Sequence, residues 1–207
     1  MTEHELYNSL LARKLIADFE KRGFEGHYCV SKKDAIKKIL EIIPDNALIS
    51  FGGSATLNDI GIREAVNNEK YRVLDPNAVS GAAEMDKIAR QALSADYFLM
   101  SSNAITEQGE LVNADGYGNR VAALIFGPKN VIVVAGMNKL APDLEAAITR
   151  VKKYAARMIL LKFKKDYTDF ETLDSAAKGA VNQLVITSGS TVKGRIKVIL
   201  VGESLGF

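Results

Sequence analysis

Apolar residues recur at helical spacing at Leu6, Leu10, Leu11, Leu15, Ile16 and Phe19, with charged side chains between them and Gly23 beyond the last. This pattern predicts an amphipathic helix over about 3–22. Ser31, three residues ahead of Asp34, is an N-cap signal for a second helix from Lys32 to about Ile43. The period then changes. Residues 47–51, 71–74, 97–100, 130–135 and 196–201 are short, almost unbroken apolar runs, the mark of strands buried on both faces. Helical stretches separate them: a piece capped by Thr56 and interrupted by Gly61, one over 82–93, one over 119–126, and one from Pro142-Asp143 to about 156. Such alternation predicts an α/β fold with an open, mostly parallel sheet and helices on both faces. Leu184–Thr187 and Ile196–Val201, joined through Ser188-Gly189-Ser190, are expected to form an antiparallel hairpin at the C-terminal edge of that sheet. A single domain over 1–207 is expected, with 1–30 as an N-terminal helical extension and the weakly periodic 157–180 as an exposed excursion.

Composition narrows the picture. With 207 residues, 47% hydrophobic and 25% charged, the chain has enough apolar material for one core. Its 27 basic and 25 acidic side chains give a net charge of +2, which offers no basic face for nucleic acid or for a membrane surface. No apolar run approaches the roughly 20 residues that span a bilayer, and no signal segment opens the chain, so a cytoplasmic protein is expected. Cys29 is the only cysteine, and His4 and His27 are the only histidines. Disulfides, iron–sulfur clusters and cysteine-rich zinc sites therefore cannot be assembled within one chain, and no cofactor or metal is expected.

Candidate chemistry gathers where the buried strands end. In an open parallel sheet, ligands bind outside the carboxyl ends of the strands. Three such ends are Gly52-Gly53-Ser54, Ser101-Ser102-Asn103 and Gly136-Met137-Asn138-Lys139, which should share one rim. Gly52, Gly53, Ser54 and Thr56 read either as an anion cradle leading into a helix or as a tight turn. Residues 103–139 are dense in turn formers and polar groups. Glu107 is the candidate base or nucleophile, with a solvated turn acid as the alternative. Asp115 suits a turn or a hydroxyl partner. Asn119 and Arg120 open a helix, where Arg120 can clamp a carboxylate or phosphate or form an ion pair. Lys139 supplies a second cation. Ser102, Asn103 and Asn113 complete a set suited to a small anionic ligand. No histidine neighbours Ser54, Ser101 or Ser102 in the chain, so hydrolysis by a serine–histidine triad is not expected.

Three stretches carry a family resemblance: FGGSATLNDIGI at 51–62, SSNAITEQGELVNADGYGNRVAALIFGPKNVIVVAGMNKL at 101–140, and GRIKVILVGESLGF at 194–207. Together they resemble the LUD-domain (lactate utilisation) family over about 31–154 plus the last segment. The resemblance implies the fold shared by ribose-5-phosphate isomerase, glucosamine-6-phosphate deaminase and the CoA transferases. It also implies a role in L-lactate or related organic-acid oxidation beside partner subunits, with self-association left open. The chain departs from the family where many members carry a cysteine-rich segment: SAAKGAVNQLVITSGSTVKGR, at 175–195, has no cysteine, so a redox cluster is not transferable. The proline–asparagine signature after the 143–156 helix is replaced by Ala156-Arg157-Met158-Ile159. The spacing N-A-I-T-x-x-G-x-x-x-N from Asn103 to Asn113 is similar to a stretch of methylthioribose-1-phosphate isomerase that has an acid where Asn103 stands. The reading expected is a protein that binds a small anionic metabolite; the alternative is an isomerase or CoA-transferase-type enzyme using Glu107.

Overall fold

The computed structural model describes residues 1–163 and 166–207. Helix α1 (Glu3–Lys21) leads into strand β1 (Glu25–Cys29), α2 (Lys32–Ile42) and β2 (Leu48–Phe51). Two short helices, α3 (Ala55–Ile60) and α4 (Ile62–Ala65), precede β3 (Arg72–Leu74), and α5 (Ala82–Gln91) precedes β4 (Tyr97–Met100). A hairpin of β5 (Ala104–Thr106) and β6 (Leu111–Asp115) follows, then α6 (Asn119–Phe126), β7 (Asn130–Gly136) and the two-residue β8 (Leu140–Ala141). Helix α7 (Leu144–Arg150) runs through a π-helical turn at Val151–Ala155 into α8 (Ala156–Phe163). The chain ends with α9 (Phe170–Ala177), β9 (Gln183–Thr187) and β10 (Ile196–Val201).

The apolar runs make one six-stranded sheet in the order β1-β10-β7-β4-β2-β3, and every pairing in it is parallel. Alternation along β7 explains why its run is unbroken. Val131, Val133 and Ala135 face a cluster with Leu15 and Phe19 of α1 and Leu124 of α6, while Ile132 and Val134 face Ile39 of α2 and Leu57 of α3. Each face is thus covered by helices, as the pattern of strands predicts. Residues 1–30 are built into this core: Ala12, Leu15 and Phe19 are fully buried, and β1 forms the sheet's edge beside β10.

The expected C-terminal hairpin does not form. β10 lies inside the sheet, parallel to β1 and β7, and β9 belongs to a second sheet of order β8-β5-β6-β9, antiparallel to β6. Burial explains the choice. Ile196 and the run Val198–Val201 are almost completely buried and need cover on both faces, whereas Gln183 and Ile186 are exposed, as an edge strand permits. The connection between them is tied instead to the end of α1, where Ser190 N donates to Arg22 O (2.7 Å) and Gly194 N to Gly23 O (3.0 Å).

The second sheet packs Ala104, Val112 and Ala141 against Ala147 and Val151 of the α7 rod. Of the excursion expected at 157–180, residues 158–163 end a long helical rod and Leu173 and Ala177 of α9 are buried, residues 168–172 are exposed as expected, and residues 164–165 lie outside the described residues. No helix among the described residues is long and apolar enough to cross a membrane.

Candidate functional site

Because β2, β4 and β7 run parallel, the loops that follow them emerge at one rim, as expected. They line a cleft of about 290 Å³. Its polar side carries Gly53, Ser54, Ser101, Ser102, Asn103, Asp115, Arg120 and Lys139. Its apolar side is the rod after α7, with Val151, Ala155, Ile159, Leu160 and Phe163, faced by Phe207. The π-helical turn places Val151 and Ala155 at this wall; insertions of this kind are frequent at functional sites.

Arg120 is the structural pin of the rim. Its Nε donates to Asp115 Oδ1 (3.0 Å), Nη1 to Ser101 O (2.9 Å) and Asn113 Oδ1 (2.7 Å), and Nη2 to Asn103 Oδ1 (2.7 Å) and Ala114 O (2.7 Å). These acceptors occupy the five N–H donors of a guanidinium, so Arg120 braces the loops and has no fork left for a ligand. Asp115 is likewise committed, accepting from Arg120 and, at 3.0 Å, from Val121 N in the first turn of α6. Gly52 is required here because a Cβ would come 2.9 Å from Arg120 Cδ. Asn103 and Asn113 tie β5 to β6: Asn113 Oδ1 accepts from Asn103 N (3.3 Å) and Asn103 Oδ1 from Ala114 N (3.0 Å). Ser102 donates its proton to Ala104 O (2.7 Å), which makes it part of the same brace.

Lys139 differs. It is only 4% exposed, it sits in the tight turn that ends β7, and its Nζ donates to Ser101 Oγ at 2.9 Å. Among the described residues no carboxylate lies within ion-pair distance of it. Burial pushes its ammonium down from an ordinary 10.5 to about 7, helped by the guanidiniums of Arg150 and Arg120 and opposed by the Asp59 carboxylate. Arg150 spans the wall and the floor, donating to Asn103 O (2.6 Å) and Asn138 O (3.2 Å). Gly136 lets β7 turn into this position, since a Cβ there would come 2.6 Å from Glu203 O and 2.7 Å from Leu205 N.

The remaining expected residues lie elsewhere. Thr56 is fully buried beneath the rim, its hydroxyl bonded to Leu205 O (3.4 Å). Asn119 lines a separate groove with Tyr117 and Arg90. Glu107 is not among the cleft residues: it sits in the turn between β5 and β6, at the end of the hairpin away from Asn103, where its carbonyl accepts from Lys14 and the neighbouring Gln108 carbonyl from Arg22. Arg150 and the apolar wall were not among the residues expected from the chain, and Ser101 was expected at the rim but not as a ligand-binding residue. Ser101 and Lys139 lie 38 residues apart. Nothing in either local pattern couples them.

The fold and rim together define an α/β protein with an open parallel sheet and a cleft, lined by Asp115, Arg120 and Lys139, at the carboxyl ends of its strands. The LUD domain family model matches residues 12–201, and the chain belongs to that family. A crystal structure of a DUF162 family protein from Deinococcus radiodurans superposes with a TM-score of 0.54 at 18% identity, covering 94% of this chain and 98% of that one. No curated protein matches the chain.

Proposed function

We propose that the protein binds a small organic acid in the cleft and takes part in lactate or related organic-acid oxidation, with the redox centre supplied by partner subunits. Family membership supports a role connected with lactate utilisation. The observation that carries the reading is Lys139, a buried amine at the cleft with no carboxylate in ion-pair distance among the described residues, the cleft's Asp115 being engaged by Arg120 and Val121 N. A buried charge without a partner is costly, and a ligand carboxylate removes that cost. The Ser54 hydroxyl accepts from Leu57 N (3.2 Å) and retains its proton for an anion. The wall of Val151, Ile159 and Leu160 suits the carbon body of the acid. The absence of cysteine near the C-terminal strands is consistent with a subunit that holds a metabolite and leaves electron transfer to others.

A thermal-shift series with lactate, glycolate, pyruvate, sugar phosphates and CoA esters tests this. A ligand at one hundred times its dissociation constant adds about 2.7 kcal/mol to the stability of the folded chain. Stabilisation by the short acids that disappears in Lys139→Met is the expected result. No stabilisation by any acid contradicts the reading. An isomerase or CoA-transferase reading through Glu107 gains no support from the geometry, because the carboxylate that it needs is not at the cleft.

A further inference from the structure

Lys139 does more than present a charge. Ser101 Oγ lies 2.9 Å from Lys139 Nζ, both side chains line the cleft, and both are buried, at 6% and 4% exposure. In the structure the amine donates to Oγ and the hydroxyl donates to Ser102 O at 3.3 Å; once the amine is neutral, rotation of the hydroxyl onto Nζ gives a nucleophile and its base, a pairing that occurs with lysine in place of histidine. The groups facing Lys139 favour the neutral amine: Arg120 from α6 and Arg150 from α7 are cations, Asp115 is spent on Arg120, and only Asp59 from α3 opposes them. The rod wall beside the pair offers an apolar surface for an acyl chain.

We propose that Ser101 and Lys139 form a nucleophile–base dyad that accepts the acyl group of an ester or thioester of a short organic acid. The proposal rests on the reading of the cleft as an organic-acid site and adds a reaction to it. The neutral amine takes the Ser101 proton as Oγ bonds to the acyl carbon. The carbon–oxygen or carbon–sulfur bond to the leaving group then breaks, and the alcohol or thiol departs with the proton from Lys139. Water, deprotonated by the same amine, attacks the acyl-serine, the free acid is released, and the proton returns to Oγ. The acid produced is the ligand that the ammonium form holds.

The test uses the full chain and a fluorophosphonate probe, which forms an oxygen–phosphorus bond with an activated serine and expels fluoride. One adduct, mapped to Ser101 by mass spectrometry and absent from Ser101→Ala, is expected. The wild-type labelling rate should rise with pH through about 7, where Lys139 loses its proton. Lys139→Met should slow labelling roughly 100-fold or more, the range of a lost general base. Should that variant fail to fold, the wild-type pH profile carries the decision. A folded wild-type chain left unlabelled at Ser101, labelling that ignores pH across this range, or equal labelling of Lys139→Met overturns the dyad. Lactate titration of the same preparation separates the two ideas: acid binding without labelling overturns the dyad and leaves the acid site standing, and labelling without acid binding supports the dyad and overturns the acid site.

Discussion

Lys139 costs the protein stability, and its burial sets a pH signature. Its folded-state value of about 7 lies below the ordinary 10.5, so between those values the unfolded chain holds more protons than the folded one. Stability from this group therefore rises as pH climbs from about 7 to 10.5, and the full penalty is present below about 7. Replacing it by Met removes the charge and keeps the stem volume. Lys139→Met is expected to raise stability at about pH 6 by roughly 1–4 kcal/mol and to flatten this part of the stability–pH curve, as read by denaturant melts. Arg120 behaves in the opposite way. Arg120→Met leaves Asp115 without its cation and Asn103, Asn113 and Ser101 O without their donor, so a loss of about 3–5 kcal/mol is expected by the same melts. The two cations of the rim are thus distinguished by sign: one braces the fold, and the other is retained at its expense.

At the scale of elements, the helices α1, α2 and α6 and the five apolar strand runs stand close to where periodicity puts them, because each follows from one-dimensional pattern and caps. Capping boxes at Thr2 and Ser31 fix the starts of α1 and α2. The failures share one cause. The assignment of β9 to a second sheet and the interior place of β10, between β1 and β7, depend on partners far away in the chain, and a pair of apolar runs near a turn carries no record of which neighbour each will choose. The burial contrast between Val198–Val201 and Ile186 did exist in the residues: 198–201 is unbroken and 183–187 is not. Native-state hydrogen exchange checks the placement. Amides of β10 should exchange only through global unfolding, while those of the edge strand β9 should open at lower free energy. Equal protection of the two strands contradicts this topology.

For the molecule as a whole, the cleft is a product of parallel connectivity. It lies outside the carboxyl ends of β2, β4 and β7, with the second sheet carrying Asn103 and Asp115 to one side and the α7–α8 rod closing the other. The position of the rim could be read from the strand ends, and so could Ser54, Ser102, Asn103, Asp115, Arg120 and Lys139 as its residues. Their division of labour could not, because whether a cation is saturated or left alone depends on the distances that folding creates. Glu107 shows the limit most clearly: three residues of strand carry it out of reach of the site that its neighbour Asn103 borders. Cys29, buried and with its thiol pushed up chiefly by that burial, is placed for packing in the core beneath α2.

Isothermal titration of the chain with lactate, and with pyruvate and glycolate in parallel, tests the central claim most directly when run at about pH 6 and about pH 8.5 in buffers of different ionisation enthalpy. A carboxylate that binds to Lys139 needs the ammonium form, so affinity should fall about tenfold for each pH unit above about 7, with proton uptake visible in the buffer dependence at the higher pH, and Lys139→Met should bind none of the acids. Absence of binding by all three acids, or binding that is equally tight in Lys139→Met and indifferent to pH, contradicts the account.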